Sequence, residues 1–141
     1  MRVVCYPASR AVTGMGYGEG GMSEHDEQAA LFGWAQWARF DAPELDLLFA
    51  VPNGGHRHKA TAAKMKAEGV KKGVPDVFLP VARDPFIGLW IEMKFGYNKP
   101  TKEQAEWMEA LRAQGYRCEV CYRWQDAAAV IADYLGFDLA F

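Results

Sequence analysis

The chain has few cysteines and few histidines, three of each in 141 residues. An odd, small cysteine set argues against a disulfide framework. Cys118-x-x-Cys121 has redox or zinc spacing, but it lies in YRCEVCY, which reads as a strand. Residues three apart on a strand point to opposite faces, and no second Cys/His pair stands at zinc-finger spacing. Both are therefore expected to be structural. No stretch of eighteen or more apolar residues occurs, so no membrane-spanning helix is expected. The N-terminus lacks the basic-then-apolar layout of a secretory signal. A soluble, cytoplasmic protein is expected, without internal repeats or low-complexity tracts.

What is present fits one compact domain. Half the residues are apolar and 24% are charged, enough for a core and ordinary for a globular surface. The net charge of −2 hides an asymmetry. Between His56 and Lys72 stand six basic residues (Arg57, Lys59, Lys64, Lys66, Lys71, Lys72) against the single acid Glu68. Such a stripe is either an electrostatic footprint for phosphate or a solvated helix face.

Residues 1–21 hold five glycines and little periodicity, which predicts a flexible arm ahead of a domain spanning 22–141. Ser23-x-x-Asp26 predicts a capping box opening a helix to about Arg39. Its buried face reads Leu31, Trp34, Ala35 and Ala38, with Glu27 on the same side. Leu45–Val51 reads as a strand, Pro52 to Gly55 as a turn, and Arg57–Glu68 as a basic helix stopped by Gly69. Asp76–Val81 and Gly88–Phe95 read as strands joined by a turn at Arg83 to Phe86. Thr101 caps a helix to Gln114, Tyr116–Tyr122 is a strand, and Asp126–Leu135 is the last helix. Trp34, Trp90 and Trp107 fit core positions, while Trp37 and Trp124 are less clear. The order α-β-α-β-β-α-β-α implies an α/β fold: a mixed four-stranded sheet flanked by helices, its last two strands parallel through a crossover.

The chemistry sits in the two central strands. In LWIEMKF the apolar neighbours lie on both faces, as on a buried strand. Glu92 and Lys94 share one face. If the hairpin turn centres on Asp84 or Pro85, Asp76 opposes Glu92 or Lys94. Burying a carboxylate beside an ammonium is no gain over apolar residues, so such a trio is either a structural ion pair or an active site. Two adjacent carboxylates repel unless a cation sits between them. Mg²⁺ meets that need, because it takes oxygen ligands and keeps several waters. A metal there polarises a phosphate and acidifies a bound water.

Pro75-Asp76, fifteen residues, then Glu92-Met93-Lys94 matches the PD-(D/E)XK signature. The surrounding segments are more specific: Glu27-Gln28, Pro52-Asn53-Gly54-Gly55, Gly69 to Asp76 (GVKKGVPD), Ile91 to Lys94, and Glu103-Gln104 before Gly115-Tyr116. From about Ser23 to Leu135 the sequence resembles the VRR-NUC (virus-type replication-repair nuclease) family. The resemblance implies a restriction-endonuclease-like core and a Mg²⁺- or Mn²⁺-dependent DNA endonuclease. It implies Asp76, Glu92, the Met93 carbonyl and Glu27 as metal ligands, and Lys94 as the catalytic lysine. It also implies a glutamine near the site, Gln104, although Thr101-x-x-Gln104 is equally a capping box. Short stand-alone members resemble junction-resolving homodimers in bacterial cells or phage-infected hosts. A two-fold pair of sites suits cutting of branched DNA.

DNA contacts are expected at Asn53, Gly54 and Gly55, whose backbone N–H groups precede a helix start, and at Arg57. A plain glycine turn is the other reading of that loop. Lys59 and Lys64 on the basic helix, with Lys71 and Lys72 just before Asp76, would grip the strand. His56 and His58 read as surface residues. Three competing readings remain: a flap or nicking enzyme without junction preference, an inert DNA-binding subunit, and a purely structural α/β protein.

Overall fold

A computed structural model describes residues 3–5, 23–52 and 58–140. Helix α1 (Glu24–Ala38) opens on the expected capping box: the Ser23 hydroxyl accepts from the Asp26 N–H, and Asp26 accepts from the Ser23 N–H at 2.8 Å. Together these occupy two N–H groups that a helix start otherwise leaves open. Its buried residues are Glu27, Leu31, Trp34, Ala35 and Ala38, the stripe read from periodicity.

The segment after α1 departs from the expected strand. Pro43–Leu47 is a 3₁₀ helix, and strand β2 is only Phe49–Ala50. Pro43 at the first helical position presets φ for a helical turn. Leu45 and Leu48, three apart, both turn inward, the spacing of a 3₁₀ turn.

Helix α2 (Lys59–Ala67) buries none of its side chains. It ends as expected at Gly69, whose φ is +95°. There the Gly69 N–H donates to the Lys66 carbonyl and the Val70 N–H to the Met65 carbonyl, at 3.1 and 2.9 Å. This is the Schellman pattern, which needs a left-handed residue. Strands β3 (Val77–Leu79) and β4 (Leu89–Met93) are shorter than expected and antiparallel, paired Val77–Ile91, Phe78–Trp90 and Leu79–Leu89. The turn between them closes through reciprocal Arg83–Phe86 backbone bonds.

Helix α3 (Lys102–Ala113) carries the chain across to β5 (Arg117–Cys121), which lies parallel to β4 as the crossover required. Helix α4 (Trp124–Leu135) follows, and β6 (Asp138–Ala140) ends the described chain. The main sheet has the order β2-β3-β4-β5. One face, through Val77, Leu79, Leu89, Ile91, Met93 and Cys121, meets α1 and α4 in the core. Burying each such large side chain stabilises by about 1.5–3 kcal/mol. Trp34 is wholly buried, Trp90 and Trp107 are half-buried, and Trp37 is half exposed. Cys118 and Cys121 are buried free thiols, as expected of structural cysteines.

A second, two-stranded sheet was not legible in the sequence. Strand β1 (Val3–Cys5) runs parallel to β6. Three residues of the segment read as a loose arm are thus paired to the C-terminal strand. The remainder of that arm lies outside the described residues.

Candidate active site

The hairpin register decides the site. Each β3–β4 pair obeys the same offset, and one step further sets Asp76 opposite Glu92. This is one of the two registers that the turn allowed. Asp76 is fixed from both sides. Its carbonyl accepts from the Val51 N–H at 2.7 Å, and its Oδ2 accepts from the Met93 N–H at 2.9 Å. The N–H and C=O of one strand residue point to the same edge, so the Met93 carbonyl also faces Asp76.

Glu92 is 1% exposed, and neither carboxylate oxygen has a hydrogen-bond donor. Its nearest cation is Lys94, with Nζ 3.6 Å from Oε1. Lys94 is itself buried, and its N–H donates to the Cys121 carbonyl at 2.9 Å. Burial first, and the Asp76 charge second, push Glu92 up to about 8, against the pull of Lys94. Burial likewise raises Asp76, opposed first by the Met93 N–H and also by Lys94. The trio read from the sequence therefore converges, and with both carboxyls ionised Lys94 alone leaves its charge incompletely balanced.

A divalent cation fits that imbalance, because it would give the orphaned Glu92 oxygens a partner. Among the described residues no three His, Cys, Asp or Glu side chains stand together as a ready metal cluster. An ion held by Asp76 and Glu92 would complete its shell with the Met93 carbonyl and water, an arrangement suited to Mg²⁺.

The two acids at the start of α1 are placed differently. The Glu27 carboxylate accepts from the Trp124 N–H at 2.7 Å, at the first turn of α4. There it satisfies an open helix N–H and meets the positive end of the helix dipole. Glu24, one turn earlier, is half-buried and lies in the field of the trio. Its carboxyl is raised by burial, lowered by Lys94 and raised by Asp76, and it in turn raises Glu92. Glu24 was not among the site residues read from the sequence. Residues three apart share a helix side, so Glu24 stands on the side of α1 that carries Glu27.

Gln104 sits in the first turn of α3, where its Oε1 accepts from the Thr101 N–H at 2.8 Å and completes the capping box. That turn packs against the loop entering β3. A Cβ on Gly73, which has φ +87°, would meet Glu103 backbone at 2.8 Å. The loop before Asp76 therefore needs glycine twice over, for its torsion and for this approach. Lys59, Lys64, Lys71 and Lys72 are all exposed. Asn53, Gly54, Gly55 and Arg57 lie outside the described residues, as does His56.

A family model described as the VRR-NUC domain matches residues 24–124, a span that includes the acids, the lysine and Gln104. A solved structure of a "VRR_NUC domain protein" is 32% identical in sequence with a TM-score of 0.70, the match covering 86% of this chain and 95% of that one. No curated protein matches the chain.

Proposed function

The chain belongs to the VRR-NUC family, a nuclease domain of the PD-(D/E)XK type, and on that premise we propose a Mg²⁺-dependent endonuclease that hydrolyses phosphodiester bonds in branched DNA. The observation that carries the reading is the Glu92 carboxylate, buried opposite Asp76 without a hydrogen-bond donor.

Asp76, Glu92 and the Met93 carbonyl would hold the ion, and Glu24 adds its charge to their field. Bound there, the ion supplies polarisation of the scissile phosphate and a more acidic water. Lys94 orients the attacking water and stabilises charge developing on the phosphate oxygens. The water oxygen forms the new bond to phosphorus as the phosphorus–ester oxygen bond breaks; the proton the water gives up passes to solvent, and the departing oxygen takes one from solvent. The exposed Lys59, Lys64, Lys71 and Lys72 hold the DNA backbone, a sequence-independent and salt-sensitive grip. No helix is long and apolar enough to cross a membrane among the described residues.

Cutting both strands of a junction needs two sites, so the active species is a homodimer. Trp37, Phe40, Leu47 and Phe49 are exposed on the segment from the end of α1 to edge strand β2, a place for a second copy to pack.

The test is cleavage of labelled junction, flap, linear duplex and single strand, with and without Mg²⁺, beside Glu92→Gln and Lys94→Ala. Metal-dependent cutting, strongest on the junction and lost in both variants, is expected. Equal cutting by either variant removes the site assignment. Salt-sensitive binding without any cutting leaves a DNA-binding subunit instead.

A further inference from the structure

Directly beyond Lys94 the chain makes a short turn, Phe95-Gly96-Tyr97-Asn98, before Lys99-Pro100 and the cap of α3. The turn is anchored. The Asn98 N–H donates to the Phe95 carbonyl at 3.2 Å, and Gly96 has φ +62°. Its two ends are tied down by the Lys94–Cys121 backbone bond and by the Thr101 cap. From this fixed turn Tyr97 projects with 101% exposure, as open as in an isolated extended peptide. A ring with no packing contributes nothing to the fold, and large aromatic surface left in water suits a partner that supplies another flat face.

We propose that Tyr97 stacks on an unpaired nucleobase beside the scissile phosphate, and so selects substrates in which base pairing is interrupted next to the cut. The assignment rests on the nuclease reading above. Three residues of chain place Tyr97 at most about 11 Å from Lys94, within reach of a nucleotide flanking the phosphate that Lys94 serves. An aromatic face takes any base, because every base offers a π-surface, but a base paired and stacked inside a continuous duplex has no free face to offer. Lys99, two residues on and exposed, is placed for the backbone of the same strand. Tyr97 is thus a positioning residue: it touches the base, not the reacting atoms.

The experiment uses the full chain with two DNA probes, a duplex carrying a one-nucleotide gap and the same duplex without it, each with 2-aminopurine beside the cut. Wild-type protein is expected to quench 2-aminopurine in the gapped duplex, and Tyr97→Ala to lose that quenching while Tyr97→Phe and Tyr97→Trp keep it. The ratio of kcat/KM for gapped over continuous duplex falls on the order of 10-fold in Tyr97→Ala, the scale of one base–aromatic stack. Undiminished quenching or an unchanged ratio in Tyr97→Ala overturns the proposal, as does a wild-type protein that neither binds nor quenches the gapped probe. Quenching without cleavage by the wild type removes the nuclease reading and leaves the stacking assignment standing.

Discussion

Asp76 accepts the Met93 backbone N–H at 2.9 Å across the β3–β4 hairpin, so one carboxylate both fixes the strand ends and offers its second oxygen to the site. These two duties separate by substitution. Asp76→Asn keeps an oxygen for the Met93 N–H and removes the charge. It is expected to melt within about 1 kcal/mol of wild type and to lose cleavage. Asp76→Ala leaves a buried N–H unsatisfied, at a cost of about 1–3 kcal/mol, and loses cleavage as well. Thermal melts beside a cleavage assay read both effects. An active Asp76→Asn would remove Asp76 from metal binding.

The two helix acids give a paired prediction. Glu27 accepts a charge-assisted bond from the start of α4, and its removal in Glu27→Ala is expected to destabilise the fold by about 1.5–3 kcal/mol. The surviving folded protein keeps its Mg²⁺ affinity. Glu24→Gln does the reverse: it leaves stability nearly unchanged and weakens Mg²⁺ binding and cleavage. Urea unfolding and Mg²⁺ titration of each variant test the pair, and a Glu27→Ala protein that is stable but metal-blind would exchange the roles.

Much of this arrangement could be read from residue order, for physical reasons that name the exceptions. Burial periodicity exposed the inner stripe of α1, and the sidedness of LWIEMKF put Glu92 with Lys94. Turn chemistry narrowed Asp76 to two registers. Leu45–Leu47 fall in a 3₁₀ helix and not in the expected Leu45–Val51 strand, because apolar residues spaced for a 3₁₀ turn also suit a short strand. The β1–β6 pairing joins the two ends of the chain, and no local pattern encodes so distant a contact. Glu24 and Glu27 both satisfy the helix rules. Only the packing of α4 against α1, which occupies Glu27, distinguishes them.

Because burial and Asp76 raise Glu92 from 4.5 to about 8, the metal-free fold is linked to pH. Between those values the folded chain keeps a proton on Glu92 that the unfolded chain has released. Stability is therefore fullest below pH 4.5 from this group and declines as pH climbs through 8. At the proposed metal site Mg²⁺ would take the place of that proton, so its binding is expected to tighten over the same range, by up to about tenfold per pH unit for each proton released. The Mg²⁺-induced rise in Tm is expected to be larger at pH 8 than at pH 6, and Glu92→Gln to flatten the difference. A wild-type Tm shift that is equal at both pH values would contradict the coupling.

Gln104 is the residue whose structural duty and expected catalytic duty collide. Its Oε1 closes the capping box on Thr101, and the first turn of α3 presses on the Gly73 loop that delivers Asp76. Loss of the cap should therefore reach the site indirectly. Gln104→Ala is expected to cost about 1 kcal/mol and to slow cleavage modestly. Gln104→Glu supplies the same acceptor, and an acid there also suits the helix dipole. If the cap is the whole role, Gln104→Glu restores both the melting temperature and the rate. If the amide itself contacts the substrate or its water, Gln104→Glu recovers stability alone, and the rate stays at the level of the alanine variant. The hydrogen bonds at Thr101 favour full recovery, and measuring kcat of the two variants at matched folded fraction decides between them.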